Sequence, residues 1–178
     1  AVQLGKLAGM TVIGIAGGAE KCAYVKNTLG ADRCLDHRAD DFAAALATAL
    51  PDGAHQVFDT TGGPITDQVF ENLAKHARVL IVGRTASNNS PTPASDPVKM
   101  RQLWAREAVV YGFSRYSYPE RWAFARERMI ALCQAGKIRA GHHLDDGFEN
   151  TPDALGDMLA GKFFGKALVR YHGPDGPL

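Results

Sequence analysis

The stretch GIAGGAEKC, Gly14 to Cys22, joins a run of β-forming residues to the start of a helix, and its chemistry is that of an anion site. Gly17 and Gly18 leave space at the turn. Lys21 places a positive charge in the first helical turn, beside backbone N–H groups that have no acceptor within the helix. A lysine there opposes the helix dipole, so a bound anion would account for its position. Glu20 partly cancels that field, and Gly-Gly before a surface lysine is also an ordinary strand-to-helix turn.

Other reactive residue types form weaker patterns. Cys22, Cys34 and Cys133 are far apart in sequence, with no C-x-x-C pair and no zinc-type spacing, which fits a reducing, cytoplasmic location. His142-His143 with Asp145-Asp146 contains ligand chemistry, but neighbours in an extended segment point to opposite faces, so no metal site is expected. His55 and His76 stand alone. Neither G-x-S-x-G nor Y-x-x-x-K occurs, which argues against nucleophilic hydrolase and Tyr/Lys reductase chemistry. A net charge of +1 over 178 residues provides no global field for nucleic acid or anionic membrane. No apolar run approaches the roughly 20 residues needed to span a bilayer.

Elements that could position the anion site follow from periodicity. Met10 to Ala16 and Arg78 to Gly83 are continuous apolar runs of the kind found in buried parallel strands. His55 to Thr60, Ala108 to Ser114 and a short piece near Arg33 to Leu35 complete the strands, with a last one at Lys166 to Tyr171. Helices are expected over Ala19 to Leu29, Asp40 to Leu50, Pro64 to Ala74 and Tyr118 to Gly136, with a short one from Thr151 to Gly161. In the long helix, Trp122, Ala125, Met129, Leu132 and Cys133 recur near helical spacing. Thr85 to Pro97 is a polar, proline-bearing loop, and His172 to Leu178 an expected frayed tail. Alternating strands and helices specify an α/β, Rossmann-like doubly wound parallel sheet.

In such a sheet an acidic residue at the corner beside the adenosine ribose accepts the hydroxyls of NAD. Here that corner is Ala16-Gly17-Gly18, with no Asp or Glu. Small residues leave room for the 2′-phosphate of NADP, and Lys21 can meet its charge.

VIGIAGGAEKCAYVKNTLGADRCLDH, VFDTTGG, ARVLIVG, VYGF and GKFFGKALVRY, in that order and spacing, resemble the zinc-independent medium-chain dehydrogenase/reductase superfamily. The likeness is greatest to its NADPH-dependent double-bond reductases of alkenals and prostaglandins, with quinone oxidoreductases second, and it extends through Tyr171. It implies hydride transfer from NADPH to an α,β-unsaturated carbonyl compound. It also implies that Lys21 grips the 2′-phosphate, that His37 stands beside the adenine ribose, and that Thr60 lines the cofactor. Val82, Gly83, Arg84, Thr85 and Asn88 would run under the nicotinamide, and Phe113, Ser114 and Arg115 would offer it backbone groups. Asn88 and Phe163 depart from the family's usual tyrosine and asparagine, which bears on the substrate. No proton donor can be assigned.

Family members carry a catalytic domain, a strand and a glycine-rich turn ahead of the region matched here, and no G-x-G-x-x-G is present. In the strand order 3-2-1-4-5-6 the first, central strand is then lacking, so MTVIGIA and HQVFDT are not expected to pair. On this reading residues 1–136 are a partial nucleotide-binding domain, inactive alone, residues 137–171 a helix and strand returning to the catalytic domain, and 172–178 a tail. A small carbonyl or quinone substrate and a homodimer through the Ala108–Ser114 edge are the expected partners. The alternatives are a quinone oxidoreductase and a non-catalytic dimerisation module.

Overall fold

A computed structural model describes residues 1–85 and 99–171. It divides into two compact units, Ala1–Met129 and a second from Ile130 onward.

The first unit alternates helix and strand: α1 (Val2–Leu7), β1 (Ile13–Ala16), α2 (Ala19–Asn27), β2 (Arg33–Asp36), α3 (Phe42–Ala49), β3 (Ala54–Asp59), α4 (Gly63–Glu71), β4 (Leu73–Ile81), α5 (Met100–Arg106) and β5 (Val109–Gly112). All pairings are parallel. β1 lies beside β2, with Gly14 opposite Cys34 and Ala16 opposite Asp36, while β3, β4 and β5 form a second ladder. As the expected order requires, β1 and β3 do not pair. Each therefore has one edge without a ladder partner among the described residues.

Apolar packing joins the two ladders. Phe42 and Leu46 of α3 meet Val69 of α4, and around them gather Ile15, Leu35, Leu50, Val57 and Ile65. Val57 also touches a second cluster of Phe70, Leu73, Ala77 and Val79. Leu46 is 1% exposed, and burial of a leucine stabilises by about 2 kcal/mol. α3 presents this face because Phe42 and Leu46 are four residues apart, on one side of the helix.

Several boundaries differ from the expected ones. The helix expected over Pro64 to Ala74 stops at Glu71, and Leu73 already pairs with Ala54 as strand. Burial of Leu73 and Ala74 outweighs the helix preference of the segment. The β3–β4 register then shifts, from Ala54 opposite Leu73 to Gln56 opposite Arg78, and His76 adopts φ of 60° within the excursion. α5 falls where no element was expected. Coverage of the strands is uneven: Val79 is fully buried, whereas all four residues of β5 are exposed.

The expected long helix begins as two 3₁₀ turns, Arg115–Ser117 and Pro119–Arg121, and becomes α6 (Trp122–Gln134) only at Trp122. Its apolar spacing does not mark a buried stripe, since no residue of α6 is buried. The second unit contains a parallel pair, β6 (His142–Asp146) with β7 (Lys166–Arg170), joined by α7 (Thr151–Leu159). No helix among the described residues is long and apolar enough to cross a membrane.

Candidate nucleotide-binding site

At the carboxyl ends of β1 and β2 the chain builds a cationic corner. A Cβ on Gly17 would lie 2.8 Å from Nε of Arg38 and 2.9 Å from Nε2 of His37, so the bare glycine is what lets guanidinium and imidazole converge there. Gly18, at φ of 91°, occupies a conformation that side chains disfavour, and it turns the backbone into α2. Lys21 follows in the first turn of that helix. The N–H of His37 donates to the carbonyl of Ala16 at 3.0 Å, carrying the β1–β2 ladder into the corner.

A carboxylate does stand here, but it comes from the neighbouring strand. Asp36 Oδ1 accepts the N–H groups of Gly18 and Arg38, both at 2.9 Å. Those two donors, helped by the charges of His37 and Arg38, hold its carboxyl below the usual carboxylate range. Asp36 therefore clamps the Gly17–Gly18 turn to the end of β2. Of the residues expected at this site, Gly17, Gly18 and His37 come together here, and they are joined by Arg38 and Asp36, which the sequence pattern did not single out. The signal was present as Asp-His-Arg immediately after a short strand.

A second group forms at the carboxyl ends of β3, β4 and β5. The carbonyl of Thr60 accepts both the N–H and the hydroxyl of Thr85 at 3.1 Å, and the N–H of Val82 donates to the carbonyl of Asp59 at 2.7 Å. A Cβ on Gly83 would stand 3.2 Å from the Thr60 oxygen. Thr60, Val82, Gly83 and Thr85 are thus brought together, with the carbons of Arg84 over Gly62. Phe113 extends β5 by donating its N–H to Ile81 at 2.9 Å, and its ring stacks on Tyr118 with centroids 5.5 Å apart.

The backbone around Ser114 and Arg115 is already engaged. The carbonyl of Ser114 accepts from Ser117, and that of Arg115 from Tyr118 and from Nε1 of Trp122 at 2.9 Å. The Arg115 guanidinium lies over the Tyr116 ring, 4.7 Å from its centroid. Asn88 lies outside the described residues, as does most of the stretch Thr85 to Pro97 expected as a polar loop.

Beneath the second group, a cavity of about 210 Å³ is lined in part by Asp59, Thr66, Phe70, Ile81, Arg84 and Lys99. Asp59 acts as a structural anchor for the start of α4: its oxygens accept Thr61 N, Gly62 N and the Thr66 hydroxyl. In the second unit, Phe163 stacks on His143 with ring centroids 4.1 Å apart, and His143 Nε2 lies 3.2 Å from Asp145 Oδ1. Among the described residues no group of three or more His, Cys, Asp or Glu is gathered to hold a metal ion.

Comparison with known proteins places this geometry in context. The family described as zinc-binding dehydrogenase matches residues 1–131. An NADPH-dependent curcumin reductase of Escherichia coli (strain K12) is 37% identical over 97% of the chain, and prostaglandin reductase 1 of Bos taurus is 32% identical over 94%. The crystal structure of CurA from Vibrio vulnificus in complex with NADPH superposes with a TM-score of 0.87 at 38% identity, covering 97% of the chain. The chain spans about half of each of these relatives: 52% of the curcumin reductase and of CurA, 51% of prostaglandin reductase 1.

Proposed function

Because the chain belongs to the zinc-binding dehydrogenase family, we propose that it is the nucleotide-binding portion of an NADPH-dependent reductase of α,β-unsaturated carbonyl compounds. The observation carrying this reading is the corner where Gly17 makes room for His37 and Arg38, with Lys21 in the first turn of the helix that follows. Two basic side chains against a bare glycine, with a lysine in the next helical turn, suit the 2′-phosphate of NADP, since charge-assisted hydrogen bonds to phosphate are the strong ones. The relatives' names support the same cofactor, as they include an NADPH-dependent reductase and a structure holding NADPH.

When bound, NADPH would supply a hydride to the β-carbon of the enone or enal, and a proton would convert the resulting enolate to the saturated carbonyl compound. The chain's own residues position and discriminate. Lys21, His37 and Arg38 hold the phosphate end. Thr60 with Val82 to Thr85, and Phe113 to Arg115, form the wall along which the nicotinamide end lies. Residues 1–136 act as the nucleotide-binding portion of the whole protein, and 137–171 return to its catalytic domain.

Binding of NADPH and NADH by the whole protein tests the reading. Lys21→Ala is expected to weaken NADPH by roughly tenfold, the size of one charge-assisted contact, with NADH nearly unchanged. Equal loss for both nucleotides, or no binding of either, overturns it.

The exposed β5 edge, with Val109 45% and Tyr111 52% exposed, supports a homodimer formed by edge pairing. A monomer at high concentration in light scattering is the result against that assembly. Three cysteines unpaired in the structure fit a cytoplasmic setting.

A further inference from the structure

Directly behind the cationic corner, two thiols pack against the same strand. Cys34 of β2 lies opposite Gly14 of β1, and a Cβ on Gly14 would stand 3.3 Å from its Sγ, so the sulfur occupies the space above β1 that the glycine leaves. Cys22, in the first turn of α2, turns its Sγ down toward the same strand, 3.9 Å from the carbonyl of Ala16. The two sulfurs lie against the same strand, one at Gly14 and the other at Ala16, and both residues are half-buried. They are twelve positions apart in sequence and remote in any motif sense; only the packing of α2 on β1 and β2 joins them.

We propose that Cys22 and Cys34 form an oxidisable dithiol whose closure to a disulfide loosens the protein's hold on the phosphate of its nucleotide. The second half of this inference rests on the NADP reading of the corner; the first does not. Closure must shorten a thiol contact to a bond of about 2.05 Å, which draws Cys22 away from Ala16 toward β2. Lys21 is the preceding residue, so the charge it presents moves with the helical turn.

The oxidant is a peroxide. The Cys22 sulfur attacks one peroxide oxygen; the S–O bond forms, the O–O bond breaks, and water leaves a sulfenic acid on Cys22. The Cys34 sulfur then attacks the Cys22 sulfur, forming S–S and breaking S–O, and the departing hydroxide takes the Cys34 proton as a second water. Two thiols lose two electrons and two protons, and hydrogen peroxide becomes two waters. Burial, with the neighbouring Cys22 side chain second, pushes the Cys34 thiol up to about 12, so Cys34 keeps its proton at neutral pH and gives it up only as it attacks, which leaves Cys22 as the sulfur that the peroxide oxidises first.

The test uses the whole protein, treated with hydrogen peroxide or held in dithiothreitol, with peptide mapping by mass spectrometry and nucleotide binding measured in both states. The expected result is a peptide joining Cys22 to Cys34, short of two hydrogens. NADPH binding should weaken by about tenfold, as for one displaced phosphate contact, with NADH less affected and dithiothreitol restoring both. Cys34→Ser should abolish the linked peptide and the change in affinity, and the untreated wild-type protein serves as reference if that variant folds poorly. Exposed Cys133 is the internal control for indiscriminate oxidation. Absence of the linked peptide, or a linked peptide with NADPH affinity unchanged, overturns the proposal. Equal affinity of the reduced protein for NADPH and NADH sinks the nucleotide reading instead, while the linked peptide still reports whether the dithiol closes.

Discussion

The carboxyl ends of the two ladders in the first unit are built from different materials. At β1–β2 the corner is made by charged side chains, His37 and Arg38 converging on Gly17, with Asp36 as a clamp. At β3–β4 it is made mostly by backbone, with Thr60 accepting twice from Thr85 and Gly83 fitted against it. Charge discriminates between ligands that differ by a phosphate, whereas backbone holds a surface in place without reading charge. On the proposed reading, selectivity and positioning fall to separate regions, and a substitution in one need not disturb the other.

The most damaging way to break that separation is to remove what makes the two regions one body. Leu46→Ala empties the fully buried position between the ladders and is expected to cost about 3 kcal/mol, read by urea unfolding. A loss under about 1 kcal/mol would mean that the ladders do not share this core. Next in size, Arg38→Ala should weaken NADPH by roughly tenfold and leave NADH almost untouched, while Thr85→Val leaves their ratio as in wild type. If both variants shift the ratio alike, the contrast between the two ends fails.

The smallest effect concerns the clamp. Asp36 is held below its usual value of 3.8, so its contribution to stability is complete above that pH and is lost as pH falls through the lowered value. Asp36→Asn removes that particular loss, and its unfolding midpoints between about pH 5 and pH 2 should fall less steeply than those of wild type. Parallel curves would show that Asp36 does not hold the turn.

Much of this arrangement was legible before any coordinates. Apolar runs such as MTVIGIA and RVLIVG reported strands, and the lack of pairing between the first and third strands followed from the family resemblance, in which the central strand lies ahead of the matched region. Gly17, Gly18 and Lys21 could be read because strand-to-helix turns follow local chemistry. Arg38 could not be read in that way, since its relevance depends on β2 lying in register with β1, a contact between segments about 20 residues apart. The same holds for Cys22 and Cys34. Leu73 and Ala74 were misread as helix for the opposite reason: their local preference was clear, and burial against β3 and the core overruled it. The apolar spacing of α6 misled too, because periodicity reports a face that can be buried and does not report what covers it.

Among the described residues, the order of strand pairing also bears on how the first unit reaches its structure. Every ladder described there joins strands that are neighbours in sequence, β1 with β2, β3 with β4 and β4 with β5. Closing short loops costs little entropy and is fast, so each ladder can assemble from its own segment of chain. The side chains of α3 and α4, packed with Ile15, Leu35 and Val57 of the strands, make the one assembly wait for the other.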